Sequence, residues 1–375
     1  MNPTSALALE VPFLDLKAQY RELAPEINRA VTNVLESAQF VGGPFVENFE
    51  QEFASYIGAR YAVGVSSGTS ALELALKVAG IGPGDEVLVP ANTFFATAEA
   101  VSNVGAKPVF TDVDAASFHL DVNSAERMIT SRTRAIIPVH LYGRSMDLRK
   151  VVEFAAAYRL QIIEDAAQAH GSAYNGAKVG ASGRLTCFSF YPGKNLGAYG
   201  DAGAVTTNDF DEACKLRLLR DHGSPAKYQH AVIGTNARLD GIQAAILSIK
   251  LCQLDRWNHL RREHAKLMAS ALADSPVTPP EVTTAGEHVF HLFVVRTPQR
   301  NALRNYLRAN GIGTGIHYPV PLHLTEAYQQ LGYPGKNSLP TAEQLTEEIL
   351  SLPMYAELAD EQIEYTIDTI LNFAG

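Results

Sequence analysis

The stretch YAVGVSSGTSALELALKVAGIGPGDEVLVP, residues 61–90, decides the fold. Tyr61–Val65 is short and apolar and ends at small residues, the pattern of a buried strand. Ser67, Gly68, Thr69 and Ser70 then precede a run from Ala71 in which apolar residues recur at helical spacing. Gly82, Pro83 and Gly84 make a connecting turn, and 86–90 is a second apolar strand. The alternation continues outward. NTFFATAEAVSNVG leads to KPVFTDVD, NSAERMIT to RAIIPVHLYG, and a helical stretch through Ala157 to LQIIEDAA. Strands alternating with helices predict β-α-β units around a mostly parallel sheet, hence an α/β fold.

Helical spacing also covers 21–38 and 46–57 before the first strand, and 239–268 reads as one long helix. Beyond it, HVFHLFVVR, a helix at 300–309 and a last helix from 360 suggest a smaller α/β unit. The economical division is a large domain over 1–255 and a small C-terminal domain over 256–375.

The 375 residues hold 31 Lys and Arg against 40 Asp and Glu, a net charge of −9. No long run carries one sign, which argues against a nucleic acid or an anionic membrane as main partner. An anionic ligand must be caught by local chemistry. Cys187, Cys214 and Cys252 are widely spaced and form no metal or redox pair. Two of them lie in apolar runs that suggest buried thiols, so a reducing compartment is expected. MNPTSALALEVPFLDL has no basic leader start, and no stretch reaches about 18 apolar residues. The expectation is a cytoplasmic protein with no metal site.

Polar groups gather where the strands end. In parallel α/β sheets, ligands bind outside the carboxyl ends of the strands. The segment Ser67–Ser70 puts hydroxyls and free N–H groups at a helix start, where the helix dipole favours a phosphate or serves only as a cap. Asp165 stands at the end of the strand in IIEDAAQAHG. FSFYPGKNLGAYGDAGAV, residues 188–205, sets Lys194 in a glycine-rich loop just after Ser189. Alone, that lysine reads as a solvated loop residue. With an anion-binding helix start and a strand-end Asp, it reads as part of a pyridoxal phosphate site: the helix for the phosphate, Asp165 for the pyridine nitrogen, Lys194 for the aldehyde carbon. Phe94, just past the second strand, is placed to stack on the ring. A rival reading starts from Gly64–Gly68, which fits the G-x-S-x-G elbow of a serine hydrolase with Ser66 as nucleophile. No oxyanion segment or Asp/His pair accompanies it.

The order SGTSALELAL, VPANTFFATAEAV, FTDVD, IIPVHLYGR, IIEDAAQAHG, FSFYPGKNLGAYGDAGAV, RDHG, GTNARLDGIQAAIL and GIHYPVPLH closely resembles the DegT/DnrJ/EryC/StrS-type nucleotide-sugar aminotransferases. The resemblance implies the aspartate aminotransferase fold (fold type I) and the cofactor pyridoxal 5'-phosphate. It implies that Lys194 carries the cofactor, Asp165 binds its ring nitrogen and Gln168 its ring hydroxyl. Gly68, Thr69 and Ser189 would bind the phosphate, and Phe94 would stack. Asn236 would reach the phosphate of the other subunit in a homodimer. Lys194 separates the chain from the dehydrating branch, which has His there. The amino donor implied is an amino acid, usually glutamate, and the acceptor a keto-sugar on a nucleotide. GIHYPVPLH and DHGSPAKYQH look more like the members acting on 3-keto than on 4-keto sugars. In those relatives Lys227, Tyr228, His317 and Tyr318 would lie near the nucleotide sugar.

Overall fold

The computed structural model describes residues 9–283 and 286–373. Residues 1–8, part of the stretch examined for a leader, lie outside them. The strands in chain order are β1 (Tyr61–Val65), β2 (Glu86–Pro90), β3 (Lys107–Thr111), β4 (Thr133–Ile136), β5 (Gln161–Asp165), β6 (Ala173–Tyr174), β7 (Ala177–Lys178), β8 (Leu185–Ser189), β9 (Gly203–Thr207), β10 (Phe293–Arg296) and β11 (Ile349–Leu352). Seven of them form one sheet in the order β1-β9-β8-β5-β4-β2-β3. Only β9 runs against the others, pairing antiparallel with β8 and β1. The mostly parallel sheet is thus as expected. The two strands of 61–90 are not neighbours, however: β1 lies at one edge and β2 next to the other.

The connection from β8 to β9 is the Lys194 loop, so this lysine does sit on a hairpin. Period-two alternation sorts its root. Phe188 and Phe190 are fully buried, while Ser189 between them lines a cavity on the other face. Phe53, from the helix Pro44–Ile57, meets the edges of both rings at centroid distances of 5.1 and 5.2 Å, a favourable aromatic geometry. Phe190 N–H donates to Ala202 O at 2.7 Å and Lys194 N–H to Tyr191 O at 2.9 Å, closing the turn.

The helix Gly68–Val78 begins where β1 ends. Ser67 caps it, its Oγ accepting from Ser70 N–H at 3.0 Å. Ala71, Leu72, Leu74, Ala75 and Leu76 are all buried, because the helix is covered by the sheet and by neighbouring helices. Five apolar residues hidden on a short helix fix its start firmly against the sheet.

The pattern over 239–268 resolves into two helices, Gly241–Leu251 and Leu254–Ala271, separated at Cys252 and Gln253. Gln253 N–H donates to Lys250 O, a tight turn that neither Gly nor Pro announces. Cys252 is exposed rather than buried, as is Cys214, while Cys187 is buried. The C-terminal part pairs β10 with β11 antiparallel. Its apolar cluster includes Phe290, Phe293, Leu303, Leu350 and Ile363, together with Met268 and Val11. The boundary expected at 255/256 falls inside the helix Leu254–Ala271. No helix among the described residues is long and apolar enough to cross a membrane.

Candidate active site

β1, β2, β5 and β8 all direct their carboxyl ends to one side of the sheet, and a cavity of about 580 Å³ opens there. Gly68, Thr69, Phe94, Asp165, Gln168, Ser189, Lys194, His317 and Tyr318 all line it. Residues far apart in the sequence thus line one cavity.

At one end, the helix start presents the N–H groups of Gly68 and Thr69, which have no acceptor among the described residues. Ser189 stands opposite. A Cβ on Gly68 would lie 2.6 Å from Ser189 Cβ, and one on Gly203 would lie 2.4 Å from Ser67 O. Two glycines therefore let three segments close into an anion-sized cradle. Ser66 Oγ lies 2.9 Å from Ser70 Oγ at the same turn.

At the middle, Asp165 is buried at the end of β5. Its Oδ2 accepts from Thr97 Oγ1 at 2.8 Å and its Oδ1 from Ala167 N–H at 3.1 Å. Burial raises its pKa, while Thr97, Ala167 and the Lys194 charge act the other way. Lys194 faces the same space, and burial lowers its amine to about 8, opposed by the Asp165 charge. Phe94 is 53% exposed, toward this opening, with Tyr318 at a centroid distance of 5.4 Å. Gln168 is held from two sides: its Oε1 accepts from Tyr142 N–H at 2.7 Å and its Nε2 donates to Tyr318 Oη at 3.2 Å.

His317 is anchored at Nδ1, 2.8 Å from Ser351 Oγ, and burial with the Lys194 charge lowers its pKa to about 4. Burial raises the Tyr318 hydroxyl. Both stay neutral near pH 7.

Three expected residues do not reach this cavity. Lys227 and Tyr228 lie on an exposed loop, with Tyr228 84% exposed and the lysine amine 5.2 Å from its ring centre. Asn236 is exposed and bridges backbone to Asp221. It does not cap the following helix, whose N-cap is Asp240. Reasoning from sequence missed Thr97, three residues after Phe94, and His291, whose partner Asn195 is 96 positions away.

An anion cradle, a buried carboxylate facing the cavity and a lysine amine of lowered pKa fit pyridoxal phosphate by charge and placement. The family model for the DegT/DnrJ/EryC1/StrS aminotransferase family matches residues 21–371. The chain belongs to this family. As a DegT-family aminotransferase it depends on pyridoxal phosphate, and solved structures of the family hold that cofactor or its amine form. The chain is 48% identical over 369 residues to a dTDP-3-amino-3,4,6-trideoxy-alpha-D-glucose transaminase of Streptomyces venezuelae, covering 97% of this chain and 96% of the relative. It is 47% identical over 369 residues to a pleiotropic regulatory protein of Geobacillus stearothermophilus, covering 97% and 99%. The solved structure of S. venezuelae DesV is similar with a TM-score of 0.94 at 48% identity, covering 96% of this chain and 97% of that one. The serine hydrolase reading of Ser66 is overturned: its hydroxyl belongs to the helix cap region, and every relative described here lies outside that class.

Proposed function

We propose that this aminotransferase moves an amino group from an amino acid, L-glutamate, to the 3-keto group of a nucleotide-linked sugar in amino-sugar biosynthesis. The observation that carries the reading is Lys194: an amine of pKa about 8 in a cavity that also holds an anion cradle and Asp165. The S. venezuelae relative, a dTDP-3-amino-sugar transaminase, supports the nucleotide sugar and the 3-position.

In this reading Gly68, Thr69 and Ser189 bind the cofactor phosphate, Phe94 lies on the ring and Gln168 meets the ring hydroxyl. When bound, the cofactor supplies an electron sink for the carbon that loses its proton. Asp165 holds a proton on the ring nitrogen through an ionic hydrogen bond. Lys194 takes and returns the proton at the reacting carbons, and an amine titrating near 8 populates both forms near neutral pH. Phe94 and Tyr318 line the cavity beside Lys194. His317 and Tyr318 contact the sugar in the same cavity.

The active unit we propose is a cytoplasmic homodimer with a large domain to about residue 255 and a smaller one after it. The support for two subunits is the loop over 221–236. It carries Ile233 at 97% exposure, Tyr228 and Asn236 away from the cavity of their own chain. On a partner's site, Asn236 would reach the phosphate, and Lys227 and Tyr228 the nucleotide sugar.

The test is a screen of dTDP- and UDP-linked 3-keto and 4-keto sugars with pyridoxal phosphate and glutamate, read by mass spectrometry. Amino-sugar product from a 3-keto substrate is expected. Product from 4-keto sugars alone would overturn the 3-position, and no amino sugar from any of them would overturn the substrate class.

A further inference from the structure

Beside Lys194, two buried amides fix where a histidine in the cavity wall carries its proton. Asn195 Nδ2 donates to the backbone carbonyl of Val289 at 2.9 Å and to Asn258 Oδ1 at 2.8 Å. A backbone carbonyl only accepts, so the nitrogen of the Asn195 amide must be the atom facing Val289. Asn258 is oriented in the same way, because its Nδ2 donates to the His170 carbonyl at 2.8 Å. Both amide hydrogens of Asn195 are then used, and its Oδ1 faces His291 Nδ1 at 3.3 Å. A carboxamide oxygen only accepts, so Nδ1 of His291 carries the proton.

The ring is also neutral. Burial, with Lys194 and Arg261 nearby, holds His291 well below the usual histidine value. A neutral imidazole protonated at Nδ1 has a bare lone pair at Nε2. The ring's hydrogen bond among the described residues is the one at Nδ1, and His291 lines the cavity. Of the nearby polar groups, the helix N–H groups only donate, and Ser189 Oγ already accepts from Tyr191 N–H at 3.3 Å. His317 has its Nδ1 engaged with Ser351.

We propose that His291 Nε2 accepts a hydrogen bond from an N–H or O–H group of the substrate held beside Lys194, with Asn195 and Asn258 as positioning residues that set its tautomer. Two sources carry such a donor: the ammonium of the amino-acid donor and a hydroxyl of the sugar. The identity of these ligands rests on the aminotransferase function proposed above. The tautomer rests only on the amide network.

Nitrogen-15 NMR of the histidine-labelled holoenzyme, assigned by loss of the signal in His291→Gln, tests the tautomer without substrate. A protonated Nδ1 and a bare Nε2 are expected at neutral pH; a proton on Nε2, or a charged ring, would overturn the proposal. Kinetics then test the contact. His291→Asn keeps a donor toward Asn195 but leaves nothing at the Nε2 position, whereas His291→Gln sets a carbonyl oxygen there. His291→Asn should raise one substrate's KM roughly three- to tenfold, with kcat changed less, and His291→Gln should recover most of the loss. A rise in the glutamate KM assigns the contact to the ammonium, and a rise in the keto-sugar KM assigns it to a hydroxyl. Equal loss in both variants, or no change in either KM, would reduce His291 to wall packing and reject the contact. If wild type makes no amino sugar while the NMR tautomer stands, the proposed function fails and the amide network does not.

Discussion

Asp165 is pulled in two directions, since burial favours the neutral acid while Thr97, Ala167 and the Lys194 charge favour the carboxylate. The role proposed for it toward the cofactor needs the carboxylate, because a charge would hold the ring nitrogen protonated. Asp165→Asn should therefore retain bound cofactor, seen by absorbance, yet lose transamination by a factor on the order of a hundred or more. Full activity in that variant would contradict the role. Thr97→Val removes one of the groups that keep the acid ionised, so its cofactor should bind less tightly, with Thr97→Ser restoring the affinity. Unchanged affinity in Thr97→Val would count against it. Lys194 gives a pH prediction. Its amine is lowered to about 8, so in the cofactor-free protein the reactive free base grows as pH rises through about 8. The rate of cofactor loading should climb across that window and level off above it; a climb continuing toward the ordinary lysine value of about 10.4 would contradict the burial of the amine. The sign for stability is the same. The unfolded chain binds this proton more tightly, so the lysine's burial penalty is full below pH 8 and fades above it. Asp165, Ser189 and Lys194 were legible because each stands at or just past a strand end within a short motif. Thr97 and His291 were not, since their partners lie 68 and 96 positions away and only folding brings them together.

The β8–β9 hairpin is the element that converts a flexible lysine loop into a fixed one. Phe188 and Phe190 enter the core against Phe53 on one face, and Ser189 is left for the cavity on the other. Phe190→Ala opens a cavity under the loop and should cost about 3–5 kcal/mol in denaturant unfolding. Its effect on cofactor affinity should follow, because the loop root loses its packing. A loss under 1 kcal/mol would show that the aromatic cluster does not hold the loop. The aromatic run before Lys194 made a strand readable from the sequence, though not which face each ring takes, and Ser67 before an apolar helix made the cap readable. The break at Cys252 and Gln253 was not readable, because the turn is made by ordinary residues with near-helical backbone and leaves the apolar period uninterrupted. The small pair β10–β11 was half legible: HVFHLFVVR announces one strand, while its partner Ile349–Leu352 follows directly on the helix Pro340–Glu348.

At the scale of the whole molecule, the sheet gathers the groups proposed to hold the cofactor into one cavity and leaves Lys227, Tyr228 and Asn236 outside. Only the family resemblance put these three at the site, and within one chain they stand on an exposed loop away from the cavity. In the two-fold assembly proposed above, the same loop of each subunit would lie against the other's cavity. Lys194→Ala and Asn236→Asp should each be impaired as homodimers, the second by setting a carboxylate against a phosphate. Their isolated heterodimer contains one site with both native residues and should recover activity well above either parent; no recovery would reject the shared site. The most direct measurement returns to the lysine on which the proposed chemistry depends. Protein loaded with pyridoxal phosphate is reduced with borohydride, digested and mapped by mass spectrometry. The pyridoxyl label is predicted on Lys194, with loss of the visible chromophore; a label on another lysine, or none after loading, would contradict the assignment.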